Sequence, residues 1–399
     1  MAERSAVITA IDTWRWPEQP NCLWVELTTS DGLTGLGETY YNAGATEAIV
    51  HEMIAPLIIG ADAGAINLHG RNFFACANFS GYAGAEMRAY SAVDIALWDL
   101  LGQALDRPIH ALLGGAVRDQ ITVYNTCADA GTHADQRASL EAPGDLAEEL
   151  LERGVTAMKV WPWDRFAPQI LGKYVTGPAG WSAMGPPGHY LSAESVEAGL
   201  QVVAAIRDRV GNKMGIMLEG HSRWDVNCAL KIARAVEPYD ITWMEDFIQP
   251  DSVDDLRRLV AESRVPQAVS ERLISRYPFR AVLQAGAAHV AMLDVAWVGG
   301  LTESVKVADL ADAHHLPFAP HDCTGPVTVM ANLHLAAAKP NFMITETVRG
   351  FCEGYYRDVI DTPITVTAGS IQIPRRPGLG AALRPEFKAL DGVTRRRSE

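Results

Sequence analysis

Three carboxylates stand at even intervals in this sequence: Glu219 in GIMLEG, Glu245 in ITWMED and Glu271 in QAVSER. Each closes a short apolar run of the kind that forms a buried strand, and the intervals match one strand–helix unit. Parallel neighbouring strands set their ends side by side, so the three acids reach one rim. Three anions that close repel strongly at low dielectric unless a cation sits among them. Oxygen-only donors favour Mg²⁺, which also keeps positions for water and substrate. One strand-end glutamate alone reads as a solvated rim residue; three on consecutive strands read as a metal site.

Other strand ends carry proton chemistry. Asp294 ends AMLD and His321 ends PFAPH. A carboxylate on one imidazole nitrogen fixes the tautomer and raises basicity at the other; the plain alternative is a structural hydrogen bond. His221 follows Glu219 by two residues, and strand alternation would return it to the same side, beside the metal. It has no evident carboxylate partner other than the metal ligands. Lys159 ends the run AMK on the rim, where a cation binds a carboxylate or merely snorkels. His334 in ANLHLAAA reads as a packed helix residue, and His314 and His315 as solvent-facing.

The elements that must position these groups change character along the chain. Residues 1–120 mix strands (AVITAIDTWRW, and CLWVELTTSDGLTGLGETYY folding back at Ser30-Asp31-Gly32) with amphipathic helices, an α+β segment. Over residues 121–375 eight short apolar runs, from ITVYN and AMKVW to PFAPHD and FMITET, alternate with helical stretches such as SVEAGLQVVAAIRDRVG. That rhythm predicts an α/β fold, a modified (β/α) TIM-type barrel carrying an α+β capping domain. An open doubly wound sheet is the rival, but no G-x-G-x-x-G opens a helix. Residues 376–399 are expected to return to the capping domain, with the basic tail TRRRSE solvated. The stretch from Pro162 to Ser192, rich in Gly, Pro and aromatics, is too long for an ordinary connection and is expected to be a lid.

Composition narrows the class. The chain has 399 residues, 48% of them hydrophobic and 21% charged, which suits a globular protein with a large core. A net charge of −14 argues against nucleic acid as a partner. Six scattered cysteines form neither a disulfide framework nor a zinc motif. No run of about 18 apolar residues would span a bilayer, so no membrane role and a cytoplasmic location are expected.

The stretch SAVDIALWDLLGQALDRPIHALLGG is similar to the helix closing the capping domain of the enolase superfamily. SERLISRYPFRAVLQAG, LDVAWVGGLTES and APHDCTGPV resemble its fifth to seventh barrel strands. The Asp294/His321 pair marks the mandelate-racemase-like group, and Glu219-Gly220-His221-Ser222-Arg223 matches the acid-x-His-x-Arg pattern of its acid-sugar dehydratases. The resemblance implies abstraction of the proton α to a carboxylate with Mg²⁺ bound by Glu219, Glu245 and Glu271. It implies His321 with Asp294 as base, His221 as acid, and Lys159 and Glu346 acting on the substrate carboxylate and enediolate oxygen. Trp161, Arg223, Trp297 and Tyr40 are candidates to hold the substrate, an aldonate or aldarate, and the family implies even-numbered homo-oligomers. Trp161 stands where many members carry a second lysine, Asp246-Phe247 where Glu-Pro is usual, and Ser270 where Gly is usual. The expected outcome is a 2-keto-3-deoxy acid. Racemisation or epimerisation, or lactone cycloisomerisation, would use the same site, and a silent sugar-acid-binding protein is the non-enzymatic rival.

Overall fold

The computed structural model describes residues 6–167 and 188–399. Most of the expected lid therefore lies outside the described residues. Strands β1 (Ile8–Trp16), β2 (Gln19–Thr29) and β3 (Thr34–Tyr40) form an antiparallel meander. Helix α1 (Ala85–Ala104) packs on it. Gly35 and Gly37 let that helix come close, since a Cβ at either would run into the carbonyls of Ala96 and Ala92.

Eight parallel strands follow: β4 (Gln120–Thr126), β5 (Ala157–Val160), β6 (Gly215–Glu219), β7 (Trp243–Glu245), β8 (Gln267–Val269), β9 (Val290–Leu293), β10 (Phe318–Pro320) and β11 (Thr345–Thr347). Each pairs with the next up to β10, and β11 pairs back onto β4. The seam between β10 and β11 is held by a parallel bridge from Phe318 to Phe342, and Met343 N donates to Phe318 O at 3.0 Å. All eight expected strands are present in their expected order. Tyr124, Met217, Trp243 and Met292 fill the interior, one layer below the rim. Strand β12 (Ser370–Gln372) pairs with the start of β4. The C-terminal tail lies along the first strand of the meander and stays exposed. Thr394–Ser398 is an exposed edge strand, β13, antiparallel to β1, because Asp12 draws in Arg395 and Arg397 at 2.7 and 2.8 Å. No helix among the described residues is long and apolar enough to cross a membrane, and none of the six cysteines is disulfide-bonded.

Buried carboxylates join the meander and α1 to the barrel helices α2 (Gly300–Ala313) and α3 (Pro326–Ala338). Glu38 accepts from Thr328 N at 3.0 Å, Thr328 Oγ1 at 2.8 Å and Trp24 Nε1 at 2.7 Å, so it caps α3. Asp94 accepts from Thr302 N at 2.9 Å in the first turn of α2. Asp99 accepts from Leu36 N and Leu379 N at 2.8 and 2.7 Å. His334, as expected, is packed within α3. Its Nε2 donates to Leu379 O at 3.0 Å, so Nδ1 is left to accept from His110 N at 3.2 Å.

Two stability predictions follow from these contacts. Glu38→Gln leaves one acceptor atom where donors approach from both sides, and should lower unfolding free energy in urea by about 1–3 kcal/mol. His334 supplies a pH effect: burial pushes its pKa down to about 3. Below its unfolded value near 6.5, the unfolded chain takes a proton that the folded chain refuses, so stability is lost as pH falls. His334→Gln should flatten the fall between pH 6.5 and 5 by up to about 1.4 kcal/mol per pH unit, read as urea midpoints of both proteins.

Candidate active site

The carboxyl ends of the strands carry the charged groups. Glu219 and Glu245 are the last residues of β6 and β7 and lie opposite each other in register. Glu271 lies two residues beyond β8. Asp246 joins them: Ser270 Oγ donates to it, and Arg272 Nε lies 3.3 Å from Asp246 and 3.5 Å from Glu271.

Lys159 does not snorkel. It is 2% exposed, and its Nζ stands 2.5 Å from Glu245, 2.9 Å from Glu346 and 3.6 Å from Glu219. Burial alone would lower its pKa, but Glu245 and Glu346 outweigh that and hold the ammonium above the usual lysine range. Glu346, in the middle of β11, also accepts from Asp322 N at 3.0 Å and from Thr126 Oγ1.

Negative charge still exceeds positive. Burial pushes Glu219 up to about 7 despite Lys159, and it drives Glu245 well above the carboxylate range. Burial and Glu271 raise Asp246, whereas Arg272 and His321 overcome burial and hold Glu271 at about 2. Adjacent acids thus split their proton affinities. Among the described residues, Glu271 Oε2 and Asp246 Oδ1 are buried without a hydrogen-bond partner.

Among the described residues no three His, Cys, Asp or Glu side chains converge as a ready ligand set, and Lys159 stands between Glu219 and Glu245. The donors nonetheless fit a hard divalent cation. All are carboxylate oxygens, they are undercompensated, and one oxygen of Glu271 lacks any donor.

His321 lies just beyond β10, tied by its N–H to Leu293 O at 2.8 Å. Its Nδ1 is 2.7 Å from Asp294 Oδ2, and Asp294 Oδ1 accepts from Ala296 N at 2.8 Å. Nε2 is left toward the mouth, 3.7 Å from Glu346. Burial opposes charge on this ring, but Glu346 and Asp294 outweigh it and raise the pKa to about 10. Trp297 packs on the ring at 5.1 Å, and Arg88, reaching in from α1, lies 4.1 Å over the Trp297 ring. Tyr41 also packs on Trp297, at 5.5 Å; Tyr40 sits behind it, half-buried, 4.7 Å from Tyr41.

His221 departs from expectation twice. Strand alternation does not place it, because β6 ends at Glu219 and the chain turns through positive φ at His221 (47°) and Ser222 (55°). Each such residue costs about 1–2 kcal/mol. The turn is held as His221 N donates to Glu219 Oε1 at 2.6 Å. Nor does the histidine lack a carboxylate of its own: Asp164 Oδ2 is 2.6 Å from its Nδ1. Trp161 meets its ring edge-on at 5.6 Å, and Arg223 Nε lies 3.5 Å from Asp164. In the ring of eight, β6 and β10 are four strands apart, so His221 and His321 stand across the mouth from each other. Sequence reasoning missed Asp164, Arg88 and the pairing role of Arg272; only Arg272, next to Glu271, carried a local signal.

Residues 6–114 match the mandelate racemase / muconate lactonizing enzyme N-terminal domain, and residues 143–387 match the enolase C-terminal domain-like family. The chain belongs to the mandelate-racemase-like group of the enolase superfamily. A D-galactonate dehydratase of Ralstonia nicotianae is 30% identical over 380 residues, 94% of this chain and 91% of that protein. A D-xylonate dehydratase of Haloferax volcanii is 28% identical, covering 95% of this chain and 87% of that one. A crystal structure of an enolase of the mandelate racemase subgroup from Agrobacterium tumefaciens superposes with a TM-score of 0.87 at 42% identity, covering 98% and 99% of the two chains. Within this superfamily frame, Asp246 and Ser270 bond to each other, so these two departures from the usual motif form a pair.

Lys159 carries a prediction. Lys159→Met removes the cation that touches Glu219, Glu245 and Glu346 together, and breaking a buried pair costs about 3–5 kcal/mol. The metal-free thermal midpoint should fall, and Mg²⁺ should raise it by more than in the wild type. An equal Mg²⁺ response in both proteins would remove Lys159 as the counter-charge.

Proposed function

We propose that this protein is a Mg²⁺-dependent dehydratase of a sugar acid, an aldonate or aldarate. The feature that supports the reading is a pair of histidines, each with its own aspartate, at the ends of strands four apart in the ring that also carries Glu219, Glu245 and Glu271. The dehydratase relatives, named for galactonate, xylonate and gluconate, support the substrate class.

In this reading His321 Nε2 takes the proton from C2, while Asp294 on Nδ1 holds the ring in the required tautomer. Lys159 and Glu346 face the substrate carboxylate and the oxygen that gains charge. Electrons from the C2–H bond form the C2=C3 bond as the C3–O bond breaks, and His221 gives its proton to the departing hydroxyl, which leaves as water. The enol product tautomerises to a 2-keto-3-deoxy acid. A divalent cation held by Glu219, Glu245 and Glu271 would stabilise charge on the substrate carboxylate and offset the acids that keep His321 protonated. Trp297 with Arg88, and Trp161 with Arg223, would flank the sugar chain. A second reading, epimerisation at C2, is favoured by one feature: each histidine has its own aspartate, so each can hold a proton on its own face.

The test is a panel of sugar acids incubated with Mg²⁺ in D₂O, following C2 proton loss and 2-keto acid formation together. A dehydratase yields the keto acid; an epimerase yields inverted, deuterated substrate. Silence on both counts across the panel would sink the proposal. His321→Asn should stop exchange and elimination alike, with losses of about 10²–10⁴ in rate. Glu245→Gln should weaken Mg²⁺ binding in calorimetry and leave the circular dichroism unchanged.

A further inference from the structure

We infer that Asp164 is the positioning residue for His221, making a second His–Asp pair that commits Nδ1 to the aspartate and presents Nε2 to the substrate. The inference rests on the reading of His221 as the proton donor.

Several contacts aim at this one geometry. Asp164 is 6% exposed, and its Oδ2 lies 2.6 Å from His221 Nδ1. An ionised carboxylate can only accept, so the nitrogen facing it bears the proton. The opposite nitrogen is then the one that meets substrate, as in the His321–Asp294 pair. The aspartate is itself anchored. It opens a short 3₁₀ turn, Asp164–Phe166, in which Ala167 N donates to Asp164 O at 3.2 Å. Arg223 Nη1 reaches the same carbonyl at 3.4 Å while its Nε faces the carboxylate. The preceding residue, Trp163, is fully buried, and its Nε1 donates to Val196 O at 3.3 Å. Gly199 leaves room for that indole, since a Cβ there would run into it. On the other side Trp161 meets the imidazole edge-on and limits its rotation.

The chemistry follows from the geometry. Protonation of a leaving hydroxyl needs N–H aimed along one line, and a ring free to flip would spend part of its time with the wrong nitrogen forward. Asp164 does not touch substrate; it removes that freedom. With Nδ1–H on the aspartate, Nε2 has a proton to give only when the ring bears N–H at both nitrogens, and the carboxylate supports that positive charge; an asparagine of nearly the same volume does not. Glutamate keeps the charge and shifts the oxygen.

The experiment compares Asp164→Asn, Asp164→Glu, His221→Asn and the Asn/Asn double variant, using D-galactonate, D-xylonate and D-gluconate with Mg²⁺ in D₂O. Asp164→Asn should lower kcat for keto-acid formation about 10–100-fold, the range for residues that orient a reacting histidine. KM should change little, and deuterium incorporation at C2 through His321 should persist. Asp164→Glu should recover part of the loss, and the double variant should be no worse than His221→Asn. Normal elimination by Asp164→Asn, or additive losses in the double variant, would overturn the inference while leaving the dehydratase reading intact. If His221→Asn itself eliminates normally, the donor assignment fails and the inference falls with it. Nitrogen-15 spectra of the wild-type histidines, with His221→Asn to assign the signal, need neither turnover nor a folded Asp164 variant. They should show His221 protonated at Nδ1, and a neutral ring protonated at Nε2 would refute the pairing.

Discussion

The structure depends on an imbalance of buried charge. Glu219, Glu245, Asp246, Glu271 and Glu346 gather at one end of the barrel, each at most 5% exposed, and among the described residues Lys159 and Arg272 are the cations paired with them. Two charges 4 Å apart interact by about 4 kcal/mol at an effective dielectric of 20, so such a cluster is stable only when its geometry supplies compensation. Lys159 and Arg272 divide the acids into two groups, one around β5, β6, β7 and β11 and one around the turns after β7 and β8. Raised proton affinities at Glu219, Glu245 and Asp246, all first from burial, mark what is left uncompensated. A site of this kind is tuned to receive positive charge, and the same field holds the proton on His321.

The junction with the capping domain solves the same problem by other means. Glu38 and Asp94 are as deeply buried as the rim acids, but each faces N–H groups at the start of a barrel helix. Aligned peptide dipoles and unpaired N–H groups supply the positive end there. The junction has a consequence for chemistry, because α1 also carries Arg88, which lies on Trp297 beside His321. Docking of α1 and placement of the histidine are therefore linked through one indole.

What could be read in the sequence was whatever repeats. Eight apolar runs with helices between them announce a barrel, and strand ends in that frame put Glu219, Glu245, Asp294 and His321 at one rim without further information. Asp294 and His321 belong to adjacent strands, so their meeting followed from order alone. Asp164 was invisible for the opposite reason. It sits in an irregular turn, 57 residues from the histidine it binds, and no periodicity connects the two. The position of His221 was inferred from alternation although its backbone is left-handed, a conformation that neither His nor Ser advertises. The basic tail became a strand because Asp12, in β1, pairs with alternate arginines, a match between distant segments that composition does not reveal.

The two histidines differ in what holds them. Asp294 lies at the end of β9, next to β10, and its second oxygen is tied to the chain two residues on, so the His321 pair is as rigid as the barrel. Asp164 stands instead on the turn that leaves β5, and it is held by Arg223 and by the burial of Trp163. A barrel places residues four strands apart on opposite faces of whatever lies in its mouth, so in the proposed reaction proton removal and proton delivery would fall to different supports. If His321 acts at C2 and His221 at C3, the first step is set by the part of the fold least able to change. The second is then set by an irregular turn outside the ring, through the contact of Asp164 with His221.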